Sequence, residues 1–308
     1  MRLVALAGGT GAAKLLRGLA RLIPPHDLGA IVNTGDDAEV WGLHVSPDLD
    51  TLTYALSGLL DVTKGWGVRD ETFHALEHMA RLAEPTWFSL GDRDLATHLH
   101  RTRLLREGRT LSEVTRSIAE SLGVQATLLP MSDQPVRTRV LAPDGWLDFQ
   151  EYFVREKAQV EVREVRYVGA AAASPGPGVL EAIRTADAVL VCPSNPVTSI
   201  GPILAVPGLV QALSETTAPT IAVSPIVGSD AVSGPAGRLM AATGLPVSAT
   251  GVAGAYANWL DHLVFDERDA ARAAEVRALG VTPVTAQTVM RSHADEVALA
   301  RRILDLLA

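Results

Sequence analysis

Apolar and polar positions follow two rhythms along this chain. Arg2–Ala7 is a short apolar run closed by Gly8-Gly9, the pattern of a buried strand. Ala13–Leu22 then places Leu15, Leu16, Leu19 and Leu22 on one helical face. Leu28–Val32 reads as a second strand and ends in Asn33-Thr34-Gly35-Asp36-Asp37. A strand–helix–strand unit of this length predicts a parallel sheet with a right-handed crossover.

The middle of the chain changes rhythm. Asp70–Ala83, Asp94–Glu107 and Leu111–Leu122 all carry helical periodicity. Thr110-Leu111-Ser112-Glu113 fits a capping box, and Gly123 fits a helix stop. Val136–Leu141 and Trp146–Phe149 flank Asp144-Gly145, which predicts a short antiparallel ribbon. Glu161–Val168 is a further strand candidate.

The parallel pattern then resumes. Val179–Thr185, Ile203–Leu213, Ala236–Thr243 and His293–Leu307 read as helices. Ala188–Cys192 and Thr220–Val223 read as strands, with weaker signals at Val247–Ala249 and Leu263–Phe265. The expected fold is α/β: a Rossmann-like, doubly wound, mostly parallel sheet. A helical insertion at about 61–125 and the short ribbon interrupt it. Residues 1–308 are expected to form a single domain, with a two-lobed molecule as the alternative.

Composition narrows the functions. The 308 residues are 47% hydrophobic and 20% charged, a globular balance. The net charge of −8 argues against nucleic-acid binding, which needs a basic footprint. No apolar run approaches the roughly 18–20 residues of a membrane helix. The N-terminal run is shorter than the roughly 7–15 residues of a signal-peptide core. A cytoplasmic protein is expected, and the single cysteine, Cys192, reads as a packed thiol.

Five segments carry candidate chemistry. Gly8-Gly9-Thr10-Gly11-Ala12-Ala13-Lys14 joins the first strand to the first helix, where glycines and helix amides favour a phosphate. It is neither a dinucleotide fingerprint nor a P-loop, because Lys14 occupies the third glycine position and precedes Leu15. Asp36 and Asp37 end the second strand's loop, suited to a hard cation or a ribose hydroxyl. In Pro47-Asp48-Leu49-Asp50-Thr51 either acid fits a helix cap, a cation ligand or a proton acceptor. Gly91–His98 offers Arg93, either as a surface ion pair or as a phosphate grip, with His98 read as structural. Pro193–Pro202 crowds hydroxyl, amide and proline groups at a strand's carboxyl end, as a ligand loop does.

Taken together with Gly42-Leu43, Leu129–Asp133, Phe149–Phe153 and Ser224-Pro225-Ile226, these segments resemble the 2-phospho-L-lactate transferase family of deazaflavin coenzyme F-420 biosynthesis. The resemblance runs through nearly the whole chain. It implies a donor of guanylylated phospholactate or phosphoenolpyruvate and the deazaflavin Fo as acceptor. The terminal ribityl hydroxyl of Fo would attack phosphorus, and GMP would leave, with Mg²⁺ as cofactor. Gly9, Thr10, Gly11 and Lys14 are then expected at the donor phosphates, and Asn33, Ser194, Asn195 and Ser199 in the same crevice. Asp36, Asp37 and Asp50 are the metal candidates. The resemblance also sets Asp50 and Arg93 against the deazaflavin, and Asp50 doubles as candidate catalytic base. Trp66, Trp87 and Phe88 are candidates for stacking on its ring.

Two other readings compete. A related superfamily of regulatory proteins binds nucleotide-sugars without turnover, and the Gly91–Asp94 and Leu129–Asp133 segments favour the transferases over it. An NAD-dependent dehydrogenase is disfavoured by Lys14. The sequence leaves open which three-carbon acid is carried and which base the donor bears. A homodimer is only the default arrangement.

Overall fold

The computed structural model describes residues 1–307. Its central sheet has seven strands: β1 (Leu3–Ala7), β2 (Leu28–Val32), β3 (Thr127–Pro130), β4 (Ala188–Val191), β5 (Thr220–Val223), β6 (His262–Asp266) and β7 (Thr282–Ala286). They lie in the order β3-β2-β1-β4-β5-β6-β7, and every neighbouring pair is parallel. This is the doubly wound arrangement expected, with its switch point between β1 and β4.

Burial on both faces explains the unbroken apolar runs. Successive side chains of a strand point to opposite faces. Val4 and Leu6 therefore enter one core with Ile31, Val189 and Val191. Leu3, Ala5 and Ala7 enter the other with Ala30, Val32 and Leu190. Helix α1 (Gly9–Leu19) covers this second face, where Leu15, Leu16 and Leu19 meet Leu299, Ala300 and Ile303 of the C-terminal helix His293–Leu304.

The long connection from β2 to β3 carries a hairpin (Ala38–Val40 with Leu43–Val45) and four helices. These are α2 (Pro47–Leu56), α3 (His74–Arg81), α4 (Asp92–Arg106) and α5 (Leu111–Ser121). The capping box forms: Thr110 Oγ1 accepts the Glu113 amide, and Glu113 accepts the Thr110 amide. Helix α3 starts later than its periodicity predicts. Asp70 takes a φ of +54°, and Asp92 caps the amides of His74 and Ala75 at 3.1 and 2.9 Å.

The ribbon is present as a three-stranded antiparallel sheet of Arg137–Ala142, Gly145–Asp148 and Glu164–Val168. Two expectations fail. Ile203–Leu213 is not one helix but two, Gly201–Ala205 and Leu209–Glu215, broken at Pro207-Gly208 where Gly208 takes a φ of +90°. Val247–Ala249 is not a strand: Ser248 Oγ accepts the Gly251 amide at 3.1 Å and caps helix Ala249–Tyr256. Strand β7 escaped the pattern because Pro283 interrupts it, which an edge strand tolerates. Among the described residues no single helix is long and apolar enough to cross a membrane.

Candidate functional site

The carboxyl ends of β1 and β4 diverge at the switch point, where doubly wound folds bind ligands. A cavity of about 560 Å³ opens there. Gly9 turns the chain from β1 into α1 with a φ of +73°, a conformation that suits glycine. Gly11 faces the β4 loop so closely that a Cβ would collide with the Pro193 carbonyl. Ser194 Oγ donates to the Gly8 carbonyl at 2.7 Å and accepts the Gly8 amide at 3.3 Å. The two loops are thus tied together across the opening.

Asn33 is fully buried and acts as a second tie. Its Nδ2 donates to Asp48 at 2.9 Å and to the Thr198 carbonyl at 3.2 Å, and its Oδ1 accepts the Gly35 amide. Asn195 Oδ1 caps the wide turn Pro196–Ile200 by accepting the amides of Val197 and Thr198. Both asparagines therefore spend their side chains on building the crevice. Thr10, Ser199 and Lys14 line it directly, with Lys14 Nζ donating to the Met290 carbonyl at 3.0 Å. Thr288 and Met290, which follow β7, close that side.

Asp36, Asp48, Asp50 and Asp94 all line the cavity and are all buried. Asp48 accepts the Gly9 amide at 2.7 Å, so the first turn of α2 grips the first turn of α1. Burial pushes the Asp48 carboxyl up to about 6, with the Asp37 and Asp50 charges adding to the rise. Burial, reinforced by Asp48, holds Asp36 well above the usual carboxylate range. Asp37 sits just behind, bonded to Ser46 and His44 at 2.9 Å. One oxygen each of Asp36 and Asp37 is buried without a partner.

Asp50 differs from Asp48 although only one residue separates them. Both its oxygens are held by the Arg101 guanidinium. Beside it, Tyr54 donates to Asp94 at 2.7 Å, and His98 Nε2 stands 3.2 Å from the same oxygen. Burial alone would raise Asp94, but His98, Tyr54 and Arg101 outweigh it and hold the carboxyl low.

The opposite wall is aromatic. Trp66, Phe88, Phe149 and Phe153 line it, and the Phe149 and Phe153 rings lie parallel, 5.6 Å apart. Trp87 stands behind Phe88, edge-on at 5.7 Å. Gln150 also lines the cavity, and its side-chain amide bonds to no described residue. Phe149–Phe153 leads into the wide turn Glu151–Arg155, and such π turns recur at functional sites.

The structure therefore gathers Gly9, Thr10, Gly11, Lys14, Ser194, Asn195, Ser199, Asp36 and Asp50 around one cavity. Asn33 and Asp37 support it from behind. Arg93 lies on the exposed surface, donating to the Arg69 carbonyl at 3.0 Å, and does not line the cavity. Asp48, a candidate beside Asp50 in the sequence, joins them, and Gln150 and Arg101 are additions. Asp48 had a signal in its loop; Arg101, one of several arginines on α4, had none. Cys192 is buried, and burial raises its thiol far above the reactive range.

Among the described residues no three histidine, cysteine or carboxylate side chains are disposed to cage a metal alone. Magnesium does not need such a cage, since it takes one or two carboxylates and completes its shell with water and substrate phosphate. The unpartnered oxygens of Asp36 and Asp37 are hard donors of the right kind.

A switch-point cavity combining a glycine turn, buried carboxylates and an aromatic wall marks a doubly wound α/β protein with its candidate site at the carboxyl ends of β1 and β4. The sequence profile described as "2-phospho-L-lactate transferase CofD" matches residues 3–301. The chain is 45% identical over 312 residues to a phosphoenolpyruvate transferase of Streptomyces griseus, covering 99% of this chain and 98% of that protein. It is 41% identical over 306 residues to a 2-phospho-L-lactate transferase of Methanococcoides burtonii, covering 99% of each. A crystal structure of a UPF0052-family protein from Bacillus halodurans shares the fold, with a TM-score of 0.66, 19% identity and 98% of each chain covered. The chain belongs to the 2-phospho-L-lactate transferase CofD family and is a transferase.

Proposed function

We propose that the chain moves a phospholactyl or phosphoenolpyruvyl group from a guanosine diphosphate-linked donor to the deazaflavin Fo, releasing GMP, in coenzyme F-420 biosynthesis. The names of its relatives support the three-carbon acid. The observation that carries the reading is the single cavity in which the Gly9–Lys14 turn, the carboxylates and the aromatic wall meet. It offers amides and Lys14 to a diphosphate and ring faces to a planar acceptor.

The terminal ribityl oxygen of Fo attacks the phosphorus that bears the three-carbon acid. One P–O bond forms, the bond to the bridging oxygen breaks, and GMP leaves. Such displacements depend mainly on positioning and charge stabilisation. Asp50, both oxygens fixed by Arg101, orients the attacking hydroxyl. Asp48, whose proton affinity is raised toward neutrality, takes the hydroxyl proton. Asp36 would hold magnesium at the cavity wall, with Asp37 just behind it, and the metal would supply charge neutralisation at the departing phosphate when bound.

The test is turnover followed by mass spectrometry, with Fo, Mg²⁺ and each guanylylated donor in turn, beside a chelator control. A new Fo phosphodiester with GMP, lost on chelation, is expected. No product with either donor, while a nucleotide-sugar still binds, would replace this reading with a regulatory binding protein.

A further inference from the structure

We infer that Arg101 is a positioning residue for the acceptor, acting through Asp50 and touching neither substrate. Its side chain is 2% exposed and does not line the cavity. Its guanidinium donates to both Asp50 oxygens, with Nη1 at 3.1 Å from Oδ2. A forked pair fixes both the place and the twist of a carboxylate, which a lysine cannot do.

The fork is itself held. Arg101 Nη1 lies 3.1 Å from His98 Nδ1. A guanidinium only donates, so Nδ1 accepts and the imidazole carries its proton on Nε2. Nε2 stands 3.2 Å from Asp94 but makes no aligned hydrogen bond to it, and the Tyr54 hydroxyl donates to the same oxygen. Asp94, His98 and Arg101 recur every three or four residues on one face of α4, and Asp50 and Tyr54 do so on α2. Two helices are thus joined through polar groups at the cavity wall, where Asp50, Tyr54, Asp94 and His98 face the cavity and Arg101 stands behind them. Burial opposes charge on Arg101, yet the Asp50 carboxylate keeps the guanidinium firmly protonated. A buried ion pair is weak evidence for stability alone, because hydrophobic replacements are often as stable. Its forked geometry at the cavity wall instead serves to aim Asp50.

The inference rests on the function proposed above in taking the acceptor hydroxyl as the partner of Asp50. Its test uses R101K, D50N and D50N/R101M. Fo affinity is read from Fo fluorescence, nucleotide affinity from GDP calorimetry, and KM for Fo and kcat from turnover. R101K is expected to raise KM for Fo about tenfold, since small misplacements cost that much, with GDP affinity within about twofold. D50N and D50N/R101M are expected to share one KM for Fo, because without the Asp50 charge Arg101 has nothing to aim. Should D50N fail to fold around an unpaired Arg101, H98Q replaces it. H98Q keeps both charges but removes the ring nitrogen that meets Arg101 Nη1, and a severalfold rise in KM for Fo with unchanged GDP affinity is expected.

A wild-type KM for Fo in R101K overturns the inference. So does a fall in GDP affinity and thermal midpoint in step with activity, which marks a purely structural role. Wild-type protein that forms no product with either donor refutes the proposed function; active wild-type protein beside an indifferent R101K refutes this inference alone.

Discussion

Ser194 and Gly8 exchange two hydrogen bonds across the switch point, the Ser194 hydroxyl donating at 2.7 Å to the carbonyl whose own residue's amide it accepts at 3.3 Å. One side chain therefore sets the width of the crevice between β1 and β4. Ser194→Ala leaves the buried Gly8 amide unpaired, at a cost of about 1–3 kcal/mol. Urea unfolding should show a lower midpoint with an unchanged slope, and KM for the donor should rise. An unchanged midpoint would mean that water replaces the hydroxyl and that the tie is dispensable.

Gly11 meets the same β4 loop from the other side. Gly11→Ala places a methyl against the Pro193 carbonyl, so the loops must part. GDP affinity is expected to drop tenfold or more, about 1.4 kcal/mol, as calorimetry would record. Wild-type affinity would show that the loops yield without cost.

Asp36 and Asp48 make stability depend on pH and on cations. Folding raises both carboxyls, Asp48 to about 6, so the folded chain binds more protons than the unfolded one from about pH 4 upward. Their contribution to stability is present at low pH and is lost as pH rises through their folded values. On the proposed function, thermal melts near pH 7.5 should rise with added Mg²⁺, through binding to the folded chain, and rise less near pH 5. Asp36→Asn should raise the metal-free midpoint at the higher pH and abolish the Mg²⁺ increment. A midpoint indifferent to Mg²⁺ at both pH values would remove Asp36 from the metal set.

Gln150 lines the cavity, and its side chain has no hydrogen-bond partner among the described residues. Gln150→Leu breaks no hydrogen bond, so urea stability should stay within about 0.5 kcal/mol. Turnover with Fo should nevertheless fall, because the amide is free to read a ligand. Unchanged kcat/KM for both substrates would make Gln150 a bystander.

Much of the fold was legible because β1, β2, β4 and β5 are buried on both faces and show as unbroken apolar runs. The glycine turn and the Thr110 capping box were legible because their chemistry is local. The division of labour between Asp48 and Asp50 was not. They sit in one helical turn, and only their distant partners, Gly9 and Arg101, separate them. Arg101 was invisible for a related reason: polar residues buried on α4 leave no trace in hydrophobic periodicity. β7 was hidden by Pro283, and helix Ala249–Tyr256 by an apolar stretch too short to show its period.

The bond from Lys14 to the Met290 carbonyl joins helix α1 to the segment that follows β7. These partners lie 276 residues apart in the chain, so translation makes one long before the other. The glycine turn lacks this closure until the Thr288–Met290 segment has been made and has folded back onto it. Completion of the crevice is therefore a late event in the life of each molecule, and a chain that stops short of Thr288 lacks one wall of it.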